Sequence, residues 1–252
     1  MKFEWIIDAA DKTKYRAFVA QWKSHRIVKE REKRNLQRIG IDLTPRNFWR
    51  KLAGCLLTTQ QRSGENSKVA QFLRSGNPLL DWTHCRSVSS LASAVERTLG
   101  ANGMRRGKQI GKELAGAAAF LRDGGWAEVK THLQKIATQT TKAKEREVAS
   151  FLRSRFKGLG PKQSRNLIQW LGLSQYEVPL DSRMAKTLRR LSFPVPVSAG
   201  ALSDEDYYCF VEDGLHLMLA QIKIQPCIFD ACAFASMEAV PKERPKTKPV
   251  KR

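Results

Sequence analysis

The chain has 252 residues, enough for one or two domains with a sizeable buried core. Its 45 Lys and Arg residues against 24 Asp and Glu give a net charge of +21, which favours nucleic acid over an acidic membrane surface as the partner. No apolar run approaches the roughly 18 residues of a membrane span, and the N-terminus lacks the apolar core of a signal peptide. We therefore expect no membrane association and no secretion, and a location in the cytoplasm or nucleoid, or in a nucleus.

The cysteines and histidines do not form a metal-binding pattern. The five cysteines are Cys55, Cys85, Cys209, Cys227 and Cys232. An odd number at irregular spacing is typical of reduced thiols. The four histidines are scattered and make no ligand spacing with them. We therefore predict no metal site.

Taken in chain order, almost every long segment has the apolar spacing of a helix. The predicted helices are 12–37, 45–59, 89–99, 105–122, 126–137, 142–155, 161–172, 182–191, 204–221 and 228–239. No run alternates for long enough to predict a strand, so the fold class is all-α. Breaks near Asn102 or Asp123 are compatible with two helical lobes flanking a cleft. We assign residues 1–240 to one domain and predict that residues 241–252 are a disordered basic tail.

Two of these helices are joined by a turn that suits the DNA backbone. Gly158-Leu159-Gly160 leaves room for nothing but a tight connection, and Pro161 suits the first position of the next helix. A turn without side chains lets a phosphate approach backbone N–H groups at a helix N-terminus, where the dipole is positive. The turn, with the charge of the chain, predicts a DNA-binding hairpin.

A lysine and an aspartate near this turn are candidates for chemistry. Lys162 is at the start of the second helix, and Asp181 follows a return segment, residues 173–180. A helix to Gly172 rises about 16 Å, and eight extended residues span roughly 26 Å, enough to bring Asp181 back beside Lys162. Two simpler interpretations stay open, in which Lys162 only touches a phosphate and Asp181 only caps the helix that starts at Ser182.

These motifs resemble the helix-hairpin-helix DNA glycosylase superfamily. In its bifunctional members a lysine follows the glycine turn, as Lys162 does here, and an aspartate stands where Val178-Pro179-Leu180-Asp181 places one. Residues 56–61, LLTTQQ, are similar to a family segment whose glutamine wedges into the DNA stack, and residues 103–108, GMRRGK, to a family helix start. The resemblance covers roughly residues 45–235.

Two departures narrow the resemblance. Many members have a histidine two residues after the aspartate, where this chain has Arg183. Endonuclease III-like members end in a four-cysteine iron–sulfur loop, and here Cys227 and Cys232 alone lie in that region, with Cys209 as a third at most. The resemblance therefore implies no iron–sulfur cluster and no other cofactor, leaves room for a monovalent cation at the hairpin when DNA is bound, and points to the 8-oxoguanine branches.

The resemblance implies a monomer that acts on double-stranded DNA containing a damaged base. The base is extruded, Gln60 with Gln61 or Arg62 fills the gap, and Lys162 attacks C1′ of the sugar with help from Asp181. A Schiff base and β-elimination follow, and Asn166, one turn from Lys162, borders the base pocket.

The substrate favoured by the resemblance is 8-oxoguanine, and an oxidised pyrimidine is next. Two other hypotheses stay open at this point. One is a non-catalytic hairpin module that binds DNA for a partner, and the other is a basic helical protein that binds RNA.

Overall fold

The computed structural model describes residues 4–61, 64 and 66–238 of the chain. Within these residues every regular element is a helix and there is no strand, which confirms the all-α class. The α-helices are α1 (Ala9–Trp22), α2 (Arg26–Arg31), α3 (Pro45–Leu57), α4 (Lys68–Arg74), α5 (Trp82–Cys85), α6 (Leu91–Ala101), α7 (Gly107–Phe120), α8 (Trp126–Gln134), α9 (Lys142–Arg155), α10 (Pro161–Trp170), α11 (Ser182–Arg190), α12 (Glu205–Gln221) and α13 (Pro226–Glu238).

Shorter turns complete the helical architecture. π-helical turns extend α2 (Glu32–Leu36) and α7 (Leu121–Gly125), and 3₁₀ turns cover Pro78–Leu80 and Ala201–Ser203. The predicted tail, 241–252, lies outside the described residues.

The helices form two lobes, each with its own hydrophobic core. The middle lobe is built around buried residues between positions 48 and 173. The terminal lobe combines both ends of the chain, with buried residues from α1 and α2 packed against residues 178–235. The two lobes agree with the prediction, but their proposed boundary near Asn102 or Asp123 is wrong. The chain passes both points inside the middle lobe, where turns with positive φ at Gly103 and Gly124 join helices of one core.

The structure divides the first predicted helix and adds helices that periodicity missed. The segment 12–37 breaks after α1, and the side chain of His25 accepts a hydrogen bond from the N–H of Ile27 at the start of α2. Helices α4 and α5 have seven and four residues, too few turns to show an apolar repeat. Together with α13, α2 forms a wall of the cleft between the lobes.

None of the described helices is, by itself, long and apolar enough to cross a membrane. Helices α12 and α13 pass that test when they are taken together, but they are bent by 98° from each other.

Candidate active site

The hairpin formed by α9 and α10 presents backbone rather than side chains. Gly158 has φ +91°, and a Cβ there would lie 2.5 Å from Cδ of Glu113 and 2.8 Å from a methyl group of Leu56. Leu159 turns its side chain into the core of the middle lobe, so this residue presents only its backbone at the surface of the turn. A Cβ on Gly160 would meet nothing within 4 Å. The turn is therefore closed on the Gly158 side and open at Gly160, in front of the N-terminus of α10.

Lys162 is the second residue of α10 and lines a cavity of about 320 Å³ between the lobes. The side chain forms no hydrogen bond or ion pair with any residue that the structure describes. Burial lowers the pKa of Lys162 below its usual range, and the neighbouring Arg183 acts in the same direction. Asp181, Cys55 and Asp230 oppose this shift of the pKa without cancelling it. These surroundings make the neutral amine of Lys162 easier to form than that of a lysine in water.

Asp181 reaches the same cavity from the terminal lobe, as the N-cap of α11. Oδ1 accepts hydrogen bonds from the N–H groups of Arg183 (2.8 Å) and Met184 (3.0 Å). Oδ2 accepts from Nε (2.8 Å) and Nη2 (2.6 Å) of Arg183. Burial alone would raise the pKa of Asp181, but Arg183, Lys162 and the Met184 N–H together lower it. Asp181 is therefore a helix cap and an ionised wall of the cavity at once.

The return segment that delivers Asp181 is held by side chains from distant helices. The N–H groups of residues 175–177 donate to the carboxylate of Glu145 on α9 (2.7, 2.8 and 2.8 Å). The next donors are the N–H of Val178, bonded to Glu212, and that of Leu180, bonded to the Tyr208 hydroxyl (both 2.6 Å). The sequence analysis missed these anchors, because nothing local relates α9 and α12 to residues 175–180.

The other cavity walls come from α2, α10 and α13. Asn166, predicted as a border of the pocket, lines the cavity one turn after Lys162. Asp230 on α13 was not predicted, and its Oδ2 accepts from Arg31 (2.8 Å) and from Gln169 (3.0 Å). No described residue hydrogen-bonds to Oδ1 of Asp230. The cavity thus holds a carboxylate oriented by two neighbours, with an oxygen left for a ligand.

The aromatic residue of α13 in this cavity is Phe234. Neither Phe229 of the same helix nor His216 of α12 lines the cavity. Phe229 is fully buried in the terminal core. His216 is hydrogen-bonded to the carbonyl of Tyr176 (2.8 Å). The side of α13 that faces the cleft is decided by packing, because the apolar residues of this helix are spread around it rather than along one face.

The segment with the predicted wedge lies beside the hairpin. Gln60 is exposed in the left-handed region (φ +55°), and no described residue hydrogen-bonds to its side chain. Gln61 is used within the protein, because its amide donates to the carbonyl of Leu57 (3.1 Å) and accepts from the N–H of Arg105 (2.8 Å). Arg62 lies outside the described residues. Of the two described residues, Gln60 is the one whose side chain is exposed and not used within the protein.

Buried Gln163 links this segment to α10. Its amide donates to the carbonyl of Cys55 (2.8 Å) and to the hydroxyl of Thr59 (2.7 Å). The link connects the end of α3, next to Gln60, with the residue that follows Lys162. The sequence analysis had assigned no role to Gln163.

No group of three or more His, Cys, Asp or Glu side chains among the described residues is arranged to hold a metal ion. Cys227 and Cys232 are fully buried in α13, and burial raises the pKa of both thiols to about 12. Cys209 lies on α12, and burial likewise raises the pKa of its thiol, to about 11. The expected lack of an iron–sulfur cluster, and the monovalent cation at the hairpin, stay predictions.

The architecture is shared with solved structures of DNA repair enzymes. The 8-oxoguanine DNA glycosylase of Thermotoga maritima superposes with a TM-score of 0.67 at 15% identity, over 91% of this chain and 96% of that one. The 8-oxoguanine glycosylase/lyase of Methanocaldococcus jannaschii, in complex with a 15mer DNA containing 8-oxoguanine, gives 0.64 at 13% identity, over 90% and 98%. This chain has the fold of those glycosylases. The fold implied by the hairpin resemblance is therefore confirmed.

Comparisons of sequence give no further information, because no protein-family model and no curated protein matches this chain.

Proposed function

We propose that this protein is a base-excision DNA glycosylase with abasic-site lyase activity, which removes 8-oxoguanine from double-stranded DNA. The observation that carries the proposal is the meeting of Lys162 and Asp181 in one cavity, from opposite lobes, behind a hairpin with an open backbone. Lys162 is half-buried without a counter-ion among the described residues, and groups with a shifted pKa in a cleft concentrate at catalytic sites. A module that only binds DNA has no need of such a lysine.

In the proposed reaction, Lys162 is the nucleophile. Its neutral amine attacks C1′ of the extruded nucleotide, and the bond between C1′ and the base breaks, so that the base leaves with the bonding electrons and takes up a proton. Asp181 stabilises the positive charge that develops on the sugar. The amine then loses its proton and the sugar ring opens to a Schiff base. Loss of a 2′ proton expels the 3′ phosphate by β-elimination.

Asp230 supports a guanine-type base as the substrate. Guanine carries N–H donors at N1 and N2, and the N2 amino group distinguishes it from adenine. Asp230 lines the cavity, and its Oδ1 accepts no hydrogen bond from a described residue, while Arg31 and Gln169 fix the orientation of the carboxylate. The neighbours of known structure, which are named for 8-oxoguanine, agree with an oxidised purine.

DNA engagement is assigned to the hairpin and to the wedge segment. The open backbone at Gly160 suits a phosphate, and exposed Gln60 fills the space of the extruded base. The net charge of +21 supplies the general attraction to the duplex. We expect the protein to act as a monomer without a cofactor.

Borohydride trapping tests the proposal. The wild type and Lys162→Gln are incubated with duplexes containing 8-oxoguanine, thymine glycol, an abasic site or undamaged guanine, and covalent adducts are counted on denaturing gels. We expect an adduct on 8-oxoguanine and on the abasic site with the wild type, and none with Lys162→Gln. The exposed lysine of the turn gives a matched control, because Lys157→Gln removes the same charge and retains the adduct at saturating protein.

Three results would contradict the proposal in different ways. An adduct on thymine glycol in place of 8-oxoguanine would keep the lysine chemistry and make the substrate a pyrimidine. Base release without an adduct would remove the lyase step. Tight DNA binding without base release from any duplex would make the protein a binding module.

A further inference from the structure

Arg183 holds Asp181 more completely than a helix cap requires. The guanidinium contributes Nε and Nη2 to Oδ2, while two backbone N–H groups occupy Oδ1. A carboxylate has about four acceptor positions, so those of Asp181 are all filled. The Arg183 guanidinium also lies over the ring of Phe234, 4.1 Å from its centroid. The arginine is therefore fixed from two sides, by a carboxylate on one and an aromatic face on the other.

The consequence concerns Lys162, which lines the same cavity. Asp181 and Asp230 are the carboxylates whose charges act most on this lysine, and neither forms an ion pair with it. Asp230 is bonded to Arg31 and Gln169, and Asp181 to Arg183. An ion pair with either carboxylate would favour the ammonium form, which cannot act as a nucleophile.

We propose that Arg183 is a positioning residue that occupies Oδ2 of Asp181 and so prevents this carboxylate from pairing with Lys162. The inference rests on the proposed function and adds to it the reason why a lysine and an aspartate can share one cavity without neutralising each other. Arg183 thus keeps the aspartate ionised and the amine unpaired at the same time.

The charges around the two residues agree with this role. The groups that act on the pKa of Lys162 come from three helices. They are Asp181 and Arg183 at the start of α11, Asp230 on α13 and Cys55 on α3. Glu30 and Arg31 of α2, and Arg34 of the π-helical turn after it, line the same cavity. Burial raises the pKa of the Cys55 thiol to about 12, which leaves it neutral. Arg183 lowers the pKa of Asp181 and that of Lys162, whereas Asp181 raises the pKa of Lys162. Removing the arginine therefore raises the pKa of both groups.

The pH profile of imine formation tests this role. Trapping rates are measured with saturating abasic-site duplex from pH 5 to 10 for the wild type, Arg183→Gln and Arg183→Lys. We expect the midpoint of the rising limb to move up by about one pH unit or more in Arg183→Gln, as for an amine that gains a carboxylate partner. A lysine at position 183 keeps the positive charge but lacks the bidentate geometry of the guanidinium group. Arg183→Lys should therefore shift the midpoint less than Arg183→Gln does. Lys186→Gln, an exposed change on the same helix, leaves the midpoint in place.

An unchanged midpoint in Arg183→Gln overturns the proposal, even if the rate falls, because a structural defect lowers the amplitude without moving the pH dependence. If thermal denaturation shows that Arg183→Gln is unfolded, the test is decided by Arg183→Lys. An unchanged midpoint in Arg183→Lys then overturns the proposal.

A second measurement separates this inference from the proposed function. The free protein is acetylated with acetic anhydride at a series of pH values, and the modification of Lys162 is quantified by mass spectrometry. We expect the midpoint of its reactivity to be higher in Arg183→Gln than in the wild type. If the wild type forms no imine on any DNA, the proposed function fails. In that case a higher acetylation midpoint in Arg183→Gln still supports Arg183 as the residue that keeps Lys162 unpaired. Equal midpoints in the two proteins overturn this inference.

Discussion

At the scale of single residues, the site depends on one carboxylate with two tasks. Asp181 caps α11 through Oδ1 and faces the cavity as an ionised group. These tasks were competing interpretations of the sequence, and the structure combines them. A cap needs an oxygen acceptor, whereas stabilising a positive charge on a sugar needs a negative one. Replacing the carboxylate by an amide therefore separates the two tasks, because an amide oxygen still accepts hydrogen bonds but carries no negative charge.

Asp181→Asn is expected to keep the fold and lose the chemistry. Asparagine caps helices about as well as aspartate, so the free energy of unfolding in urea should stay close to that of the wild type. The single-turnover rate of base release should fall by roughly 100-fold or more, because a preorganised charge is lost and Arg183 is left without its partner. Asp181→Ala is the matched variant that loses the cap as well, at about 1 kcal/mol. A normal rate in Asp181→Asn would leave this residue as a cap alone.

At the scale of elements, the hairpin and the return segment bring the two residues together. The sequence predicted the hairpin because glycine and proline act locally, at the residues where they stand. It also predicted that eight residues are enough for the return. The anchors of that return, Glu145, Tyr208 and Glu212, are not local and could not be predicted. These three side chains accept hydrogen bonds from the N–H groups of residues 175–178 and 180, and so hold the return segment in one conformation.

The two glycines of the turn are expected to respond differently to alanine. Gly158→Ala places a Cβ at positive φ against Glu113 and Leu56, so we expect a loss of stability of about 1–2 kcal/mol or more from the backbone alone. Gly160→Ala meets open space at φ −80° and should unfold like the wild type. Its added methyl group stands where we place a phosphate, so DNA affinity should fall. Urea denaturation and fluorescence anisotropy with an abasic-site duplex measure the two effects. A stable Gly160→Ala that binds DNA normally would place the phosphate elsewhere.

At the scale of the whole molecule, a buried ionic cluster joins the lobes behind the cavity. Arg165 of α10 is fully buried, and it pairs with Glu177 (2.7 Å) and Glu205 (2.8 Å). Arg146 of α9 lies between Glu177 (3.4 Å) and Glu212 (3.4 Å). Glu177 and Glu212 are both fully buried and share these two arginines, since Arg165 also lies 3.5 Å from Glu212. Two buried carboxylates next to each other favour a proton bound to one of them.

This cluster is expected to make stability depend on pH. Burial, with the nearby Glu212, raises the pKa of Glu177 to about 8, against the opposing effect of Arg165 and Arg146. The folded state then holds a proton that the unfolded state releases above about pH 4.5. This contribution to stability is present below that pH and is lost as the pH rises through about 8. Urea denaturation from pH 5 to 8.5 should show wild-type stability falling faster than that of Glu177→Gln, which cannot titrate. Parallel curves for the two proteins would show that Glu177 is ionised throughout.

The sequence by itself determined the helical class, the hairpin and its glycines, the candidate pair Lys162 and Asp181, and the large positive charge. Each of these depends on local backbone preferences, on spacing along the chain or on total charge. The tertiary structure alone decided that the two ends of the chain combine into one lobe and the middle of the chain forms the other. The chain does not pass from one lobe to the other at Asn102 or Asp123. The tertiary structure also placed Asp230 and Phe234 in the cavity and Arg183 on Asp181. The physical reason is that these contacts depend on which helix faces meet across the cleft, and that is a property of packing.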